Sequence, residues 1–368
     1  MTPNLIKQRD VSLSSIQLAK TVELHLNNRV WRSNLADTNP DFARHMFEFV
    51  YRARVAHLDS IDLLQLPENS LVYGGGHFVA AVNDSFIEEQ WPPYVDVMKP
   101  SLAEMLAAQL PTYQVRGEKL LIGRYGISTW GHWIGELLPK ILMAEDAFPE
   151  RFQYVLPASV IGVDLDVQSI WTRILESLTV CRIDRSRVYP LEVNAHYRFE
   201  RLFAVSSVWS DYMMHPAASQ TLRHRVQHIR ADGPQKLAVV RHPRFRRIAA
   251  NADEVYALLA QRGYVSEATG LSSFSQQVAR FKAADAVFGI LGSDLTNLLF
   301  SPQGVDLVSI APDVFGDRFF YAIILDRDGT MADIRGPIVE QDKVEHKSTF
   351  SLDLVALEKA LDEDRKPG

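Results

Sequence analysis

Several features that mark other classes of protein are scarce in this 368-residue chain. It has one cysteine, Cys181, so no disulfide can form within the chain, and a reducing compartment is expected. No Cys-x-x-Cys pair or Cys/His spacing predicts a zinc site. No run of about 18 apolar residues predicts a membrane-spanning helix, and the first residues lack the basic start and apolar run of a signal peptide. We therefore expect a cytoplasmic protein and leave open a peripheral association with the inner face of the membrane.

An excess of positive charge is also absent. Lys and Arg number 39 against 45 Asp and Glu, which gives a formal net charge of -6. Such a chain lacks the general basic field on which nucleic-acid binding depends, so no nucleic-acid partner is expected. With 47% hydrophobic and 23% charged residues the chain has the composition of a folded globular protein. At about 150 residues per domain, its length predicts more than one domain.

The region between 235 and 311 alternates short β-branched runs with helical periodicity. Residues 237–240, 286–289 and 305–310 are predicted strands, and residues 251–262 and 273–284 are predicted helices. Each helix opens on the spacing of a capping box, Asn251 with Glu254 and Ser273 with Gln276. This alternation predicts half of an open, doubly wound parallel sheet.

The first 200 residues are less regular but indicate a second α/β unit. Apolar runs at 70–73, 77–82, 119–122 and 152–156 predict strands, and a strong helix begins near Gly131. We expect an α/β fold with two Rossmann-like domains. The predicted division is an N-terminal extension at 1–60, domains at 61–215 and 216–330, and a C-terminal tail and helix at 331–368. A connecting helix at 217–229 and a final helix at 351–362 complete the prediction.

The most basic segment runs from Arg241 to Arg247 and holds four arginines and a histidine. It follows a predicted strand, and ligands bind at the carboxyl ends of such strands. Because the planar guanidinium suits phosphate oxygens, the segment is a candidate diphosphate site. A solvated loop is the alternative.

A glycine-containing turn, from Gly289 to Asn297, joins a predicted strand to a helix N-terminus. Such turns present backbone N–H groups and the positive end of a helix dipole to an anion. Neither the G-x-G-x-x-G nor the Walker A pattern is present, so a dinucleotide or ATP fingerprint is not supported. The alternative is an ordinary turn with Ser293 or Asp294 as the N-cap.

The segment 129–140 places His132 and Glu136 four residues apart, on one face of a predicted helix. An imidazole near its ordinary pKa suits a general base at neutral pH, and a carboxylate beside it would orient the ring. The alternative is a satisfied buried histidine. Trp130 and Trp133, on either side of His132, are either core residues or a face for a sugar ring.

No metal site is expected. The histidine and glutamate pair lacks a visible third ligand. The two Asp-x-Asp strings, at 164–166 and 326–328, follow no strong strand and are interpreted as helix caps and turns rather than as ligands of a divalent cation.

Four blocks in this order resemble glycosyltransferase family 61, over roughly 70–315. The first is TWGHWIGELLPK, and the second is the arginine block that runs into Asn251 and Glu254. The third is the helix start with Ser273, Phe274 and Gln277. The fourth is the turn from Gly289 to Asn297.

The resemblance has departures, and two of them fall in the fourth block. Leu291 stands where the family has a histidine, and Asp294 stands where the family has a small residue. The first change removes an imidazole that could face phosphates. The second puts a carboxylate near the place where the phosphates should lie, which would weaken their binding unless it contacts sugar or ribose hydroxyls.

The resemblance implies two domains of the glycosyltransferase B type facing a cleft, a nucleotide-sugar donor, an inverting mechanism and no obligatory metal. We expect a UDP-sugar donor, a saccharide acceptor and a role in bacterial surface polysaccharide biosynthesis. The N-terminal domain would hold the acceptor and the C-terminal domain the donor. The implied catalytic residues are His132 and Glu136: the base is either His132, with Glu136 as its orienter, or Glu136 itself. The implied donor-binding residues are Arg241, Arg247, Asn251, Gly292, Ser293, Asp294, Thr296 and Asn297. The implied acceptor-binding residues are Trp130 and Trp133.

Two other functions stay open at this point. One is a catalytically silent relative that binds sugar or scaffolds a polysaccharide-assembly complex, which the changes at Leu291 and Asp294 favour. The other is a Rossmann-like enzyme that uses a different nucleotide cofactor, which the missing glycine fingerprint disfavours. The sequence does not predict an oligomeric state.

Overall fold

The computed structural model describes residues 4–6, 14–25, 32–34, 40–41, 44, 55–68, 70–73, 79–82, 85–87, 108–122, 127–158, 170–192, 194–210, 213–241, 247–344 and 347–362. The chain divides into two compact units. Unit 1 comprises Met1–Val22, Asp59–Val208 and Gln220–Arg225, and unit 2 comprises Glu23–Leu58, Trp209–Ser219 and Val226–Gly368. The division at 60, 215 and 330 stays a prediction.

The described strands are, in chain order, β1 (Asn4–Ile6), β2 (Ser15–Ala19), β3 (Val22–His25), β4 (Arg32–Ser33), β5 (Val55–Leu58), β6 (Ile61–Gln65), β7 (Leu71–Tyr73), β8 (Val79–Val82), β9 (Ser85–Ile87), β10 (Thr112–Leu121), β11 (Gln153–Pro157), β12 (Val188–Leu191), β13 (His196–Val205), β14 (Trp209–Ser210), β15 (Met213–Met214), β16 (Lys236–Val239), β17 (Val265–Glu267), β18 (Ala286–Ile290), β19 (Asp306–Pro312), β20 (Thr330–Gly336), β21 (Ile338–Glu340) and β22 (Thr349–Phe350).

The described α-helices are α1 (Trp130–His132), α2 (Leu138–Ala147), α3 (Ile170–Val180), α4 (Pro216–Arg225), α5 (Ala252–Gln261), α6 (Phe274–Ala283), α7 (Phe319–Asp326) and α8 (Leu354–Asp362). Short 3-10 helices span Arg185–Arg187, Thr269–Leu271 and Ser293–Phe300, and a π-helical turn spans Trp133–Leu137. No described helix combines the length and the apolar character needed to cross a membrane.

Unit 2 is organised around a six-stranded sheet in the order β17-β16-β18-β19-β20-β4, in which every neighbouring pair is parallel. After β16 the chain builds β17 on one side of it and then crosses to build β18 on the other side. In open α/β sheets the crevice outside the carboxyl ends of the strands at such a reversal is where ligands bind. The topology therefore locates a candidate ligand site at the ends of β16 and β18.

The central strands of this sheet are apolar on both faces. Four of the five residues of β18 and six of the seven of β19 are buried, as expected for parallel strands covered on both sides. One cluster of the core packs Phe288 and Val308 against residues of α5 and α8, among them Leu259 and Leu357. The predicted α/β class with parallel strands is confirmed.

Unit 1 contains a ten-stranded mixed sheet with the order β1-β9-β8-β7-β13-β10-β11-β12, and β6 pairs with β13 and β2. The strands β13, β10, β11 and β12 are parallel, whereas β2, β6, β7, β8, β9 and β13 are joined by antiparallel pairs. The sheet of unit 1 is thus parallel only in part, in contrast to the fully parallel sheet that a Rossmann-like domain predicts.

The local predictions meet different outcomes. The capping box at Ser273 is confirmed, since its hydroxyl accepts from Gln276 N and its own N–H donates to Gln276 Oε1. The capping box at Asn251 is wrong, because its side chain makes no cap bond. The predicted helix 217–229 ends at Arg225. The strands β17 and β20 were absent from the sequence prediction.

The two aspartate strings also differ in outcome. Residues 164–166 lie outside the described residues. Asp326 is the last residue of α7 and accepts a hydrogen bond of 2.7 Å from the Ser219 hydroxyl. Asp328 follows in the left-handed region with a φ of 49°. The interpretation of this second string as a cap and turn is confirmed.

Candidate functional site

The helix that carries His132 and Glu136 contains a π-helical turn. It begins as α1, widens over Trp133–Leu137 and continues as α2. Leu138 N donates to Trp133 O, five residues back. The next residue, Pro139, has no N–H to donate to the preceding turn, and π-turns within α-helices occur often at functional sites. The helix therefore departs from regular α-helical geometry directly beside the candidate base.

His132 and Glu136 form a close pair, with 2.8 Å between Nδ1 and Oε1. The side chain of His132 is 35% exposed and that of Glu136 is 15% exposed. If Glu136 is ionised, its oxygen only accepts hydrogen bonds, so Nδ1 of a neutral His132 would carry the proton and Nε2 the lone pair. The arrangement can therefore act as an oriented imidazole base, with the carboxylate stabilising the imidazolium that forms.

The two tryptophans beside this pair are core residues. Trp133 is fully buried, and its Nε1 donates a hydrogen bond of 2.8 Å to the Ser177 hydroxyl of α3. Trp130 is 5% exposed. The burial of both indoles favours the core alternative, and their assignment to acceptor binding stays a prediction. Trp130 and Trp133 are three residues apart, so they lie on the same side of the helix, and both are buried. The sequence pattern did not show whether this side faces the core.

In unit 2, Arg241 and Gly292 meet at the reversal of the sheet. Arg241 follows β16 by two residues, and Gly292 follows β18 by two. A Cβ on Gly292 would lie 2.3 Å from Arg241 Nη1, so the guanidinium rests directly on the glycine backbone. The hydroxyl of Tyr256 in α5 hydrogen-bonds to the backbone of Arg241. The candidate anion site at the end of these two strands is thus built on a steric fit that only glycine allows.

The charge of Arg241 is partly shielded from water. Burial lowers the pKa of Arg241, and the nearby carboxylate of Asp294 acts in the opposite direction. Arginine keeps its charge in proteins, so the guanidinium stays ionised. A desolvated cation at this position interacts with an anion more strongly than an exposed arginine does.

Arg247, the other described arginine of the basic segment, is 7% exposed. Its Nη1 donates to the carbonyl oxygen of Leu291, and its guanidinium stacks on the ring of Phe315 with 3.9 Å between Cζ and the centroid. Burial, Arg241 and Arg335 lower its pKa, and Asp317 acts against them. Arg247 therefore holds the turn after β18 through its bond to the Leu291 carbonyl oxygen. Residues 242–246 lie outside the described residues.

The turn after β18 supplies four more of the predicted donor-binding residues. Ser293 and Asp294 are partly exposed at the start of the 3-10 helix, whereas Thr296 and Asn297 are fully buried within it. Asn297 Nδ2 donates to Gln277 Oε1 at 2.8 Å and to Asp294 O at 3.0 Å. In this structure the Asn297 amide supports the turn and Thr296 is buried within it, while Ser293 and Asp294 lie at its surface.

Asn251, a further predicted donor-binding residue, has a structural contact. Its side-chain amide donates to Leu352 O at 3.0 Å and accepts from Leu352 N at 3.1 Å. The adjacent residues 247–250 also bond to the backbone of 347–350. The side chain of Asn251 thus joins the C-terminal segment to the end of the basic segment, and its assignment to the donor stays a prediction.

Three residues that shape this site were not predicted from the sequence. Tyr256 bonds to the Arg241 backbone, Phe315 lies under Arg247, and Gly270 contacts Asp294. Gly270 follows β17, and a Cβ there would lie 2.8 Å from Asp294 Oδ1. Only the position of β17 beside β16 could have indicated Gly270, and that strand has a weak sequence signal.

A buried ionic network holds the loop that carries Phe315. Asp333 accepts from Arg335 Nη2 at 2.7 Å and from the Ser309 hydroxyl at 3.0 Å. The hydroxyl of Tyr321 also donates to Asp333. Arg335 Nη1 donates to Phe315 O at 2.5 Å. Among the residues that the structure describes, no group of three or more His, Cys, Asp or Glu is placed to hold a metal ion.

Residues 130–308 match the family model described as Glycosyltransferase 61. This match supports membership in glycosyltransferase family 61 for the region 130–308. The match begins at the helix of His132 and ends within β19, so it contains Arg241, Gly292 and Asp294 and supports the likeness seen in the sequence over this range. No curated protein matches the chain. A family 61 match indicates glycosyltransferase activity on sugar substrates in general terms.

Proposed function

We propose that this family 61 member is an inverting glycosyltransferase that moves a hexose or pentose from a nucleotide-sugar donor to a saccharide acceptor. The donor is a UDP-sugar, the reaction needs no metal, and the product enters a bacterial surface polysaccharide made at the cytoplasmic side of the membrane. A two-domain arrangement of the glycosyltransferase B type is part of this proposal. The observation that carries it is the Arg241 guanidinium resting on Gly292 at the reversal of the parallel sheet.

The donor diphosphate is proposed to bind at this reversal. Arg241 offers paired N–H donors whose geometry matches phosphate oxygens. Gly292 and Ser293 lie at the start of the eight-residue 3-10 helix Ser293–Phe300. The first backbone N–H groups of a helix have no acceptor within the helix, so they can donate to an anion. As the bond between sugar and phosphate breaks, negative charge grows on the diphosphate, and a positioned cation stabilises that charge.

His132 is proposed to activate the acceptor. Its Nε2 takes the proton of the acceptor hydroxyl as the hydroxyl oxygen bonds to the anomeric carbon. The bond from that carbon to the diphosphate oxygen breaks in the same displacement, and its electron pair leaves with the nucleoside diphosphate. One displacement inverts the anomeric configuration. Glu136, 2.8 Å from Nδ1, stabilises the imidazolium that results.

The test is turnover of a panel of nucleotide sugars by the wild type and by His132→Ala, read as release of nucleoside diphosphate. We expect His132→Ala to lose about 100-fold or more in kcat, the range of a general base, while UDP affinity stays within twofold. The matched control is His224→Ala on the exposed side of α4, with unchanged turnover expected. Wild-type turnover in His132→Ala would exclude His132 as the base.

One observation favours a second function, a catalytically silent relative that binds sugar or scaffolds a polysaccharide-assembly complex. The carboxylate of Asp294 lies in the electrostatic range of Arg241, where the donor's phosphates would bind. Calorimetric titration with UDP, GDP, CDP and ADP separates the two functions. Binding of one of them supports the enzyme, and binding of none supports the silent relative.

A further inference from the structure

Asp294 occupies a distinctive place in the candidate donor site. It follows β18, yet its carboxylate touches the loop after β17, where a Cβ on Gly270 would lie 2.8 Å from Oδ1 and 3.2 Å from Oδ2. In the sheet, β17 and β18 flank β16 on opposite sides. The side chain therefore reaches across the carboxyl end of β16, which is the end from which Arg241 emerges.

The local packing holds Asp294 in this position. Its backbone carbonyl accepts from Asn297 Nδ2 at 3.0 Å, and the same nitrogen donates to Gln277 Oε1 at 2.8 Å. Gln277 Nε2 in turn donates to Ser272 O at 3.0 Å, in the loop that contains Gly270. The turn after β18 and the loop after β17 are thus linked by buried amides, and the absence of a Cβ at Gly270 leaves room for the carboxylate between them.

The electrostatics agree with this geometry. Asp294 opposes the lowering of the Arg241 pKa that burial causes, so the carboxylate and the guanidinium attract each other in the ligand-free protein. A diphosphate that binds Arg241 brings negative charge to the region that already holds a carboxylate. The two anions repel each other at short range in a partly desolvated site.

We propose that Asp294 is an internal counterion that occupies the anion position beside Arg241 and must be displaced by the incoming donor. Asp294 thereby lowers the affinity of the site for the diphosphate, and its carboxylate returns to Arg241 as the nucleoside diphosphate product leaves. The role concerns affinity and product release rather than proton transfer. This inference rests on the donor site proposed above.

The first test compares the affinities of UDP and inorganic pyrophosphate for the wild type and for Asp294→Asn by calorimetry. The amide keeps the shape and removes the charge. We expect at least about tenfold tighter binding of both probes, because two unit charges about 12 Å apart produce a tenfold change at an effective dielectric constant of about 20 and closer charges produce more. The matched control is Asp285→Asn, which makes the same charge change on an exposed residue at the amino end of β18, and its affinities should equal those of the wild type.

The second test uses the contact at Gly270. Its neighbour Asp294 Oδ1 is the end of a flexible side chain, so an alanine there displaces the carboxylate at little cost to folding. We expect Gly270→Ala to change UDP affinity by twofold or more in the wild-type background. In the Asp294→Asn background, the same substitution should change it less, because no charged group is then displaced.

Each outcome bears on the inference. Tighter binding of both probes by Asp294→Asn supports it. Unchanged binding, or a gain equal to that of Asp285→Asn, overturns it while leaving the donor site in place. Weaker UDP binding by Asp294→Asn also overturns the inference and assigns Asp294 to hydroxyl groups of the donor. Tighter UDP binding without tighter pyrophosphate binding overturns the inference as well. If neither the wild type nor any variant binds either probe, the donor site itself is wrong, and the inference falls with it.

Discussion

Gly292→Ala is expected to weaken nucleotide binding without unfolding the protein. The new Cβ would lie 2.3 Å from Arg241 Nη1, whereas nonbonded heavy atoms of this kind need about 3.5 Å. The guanidinium must therefore withdraw by about 1.2 Å. The backbone does not resist the substitution, because Gly292 has an extended conformation with a φ of 173° that alanine also adopts.

The size of the effect follows from the hydrogen bond that is lost. A charge-assisted N–H···O bond is about 2.8 Å long, and a lengthening of 1 Å or more removes it. Hydrogen bonds to charged groups contribute about 1.5–3 kcal/mol. We therefore expect UDP to bind about 10- to 100-fold more weakly, as measured by calorimetry, with the melting temperature within a few degrees of the wild type.

A double-mutant cycle with Arg241→Ala supplies the control. If Gly292→Ala acts by displacing the guanidinium, the double variant should bind UDP no more weakly than Arg241→Ala alone. Wild-type affinity in a folded Gly292→Ala protein would refute the assignment of Arg241 to the diphosphate. A further loss in the double variant would show that the methyl group blocks the ligand directly.

Three further predictions concern stability. Asp333→Asn should lower the free energy of unfolding in urea by about 3–5 kcal/mol, because Arg335 is left as an unpaired buried charge; a loss below 1 kcal/mol would contradict this. Burial disfavours ionised Glu145, but its bonds, chiefly that from Arg187, lower its pKa overall. Ionised Glu145 therefore stabilises the fold above the unfolded pKa of about 4.3, and this stabilisation is lost as the pH falls through the lower folded pKa. The free energy of unfolding of Glu145→Gln should therefore fall less steeply with acid than that of the wild type. An unchanged slope of free energy against pH would contradict this. Asn251→Ala should cost about 1–3 kcal/mol through two lost bonds to the C-terminal segment and leave UDP affinity unchanged.

Features that depend on neighbouring residues were predictable from the sequence. The Ser273 cap and the strands near 237, 286 and 305 follow from patterns a few residues long. The contact between His132 and Glu136 follows in the same way, because residues four apart share a helix face. The glycine turn after β18 was identified by its place between a strand and a helix.

Other features depend on the burial of each segment. The strand β20 contains Asp333 and Arg335, whose charges hide its strand character in the sequence, yet both are buried because they satisfy each other. The strand β17 has only three residues, none of them buried, so no apolar run marks it. The sequence leaves Trp133 as either a core residue or a face for a sugar ring, and its burial favours the core.

The sequence by itself determined the family, the parallel α/β class of unit 2 and the elements that carry the candidate residues, because these are written in local patterns. The tertiary structure alone decided what each residue touches. The partner of Asn251 lies 101 residues away, Arg241 lies on Gly292, and Asp294 lies against Gly270. These contacts depend on the order of strands in the sheet, which brings the ends of β17, β16 and β18 together and which no short segment of sequence specifies.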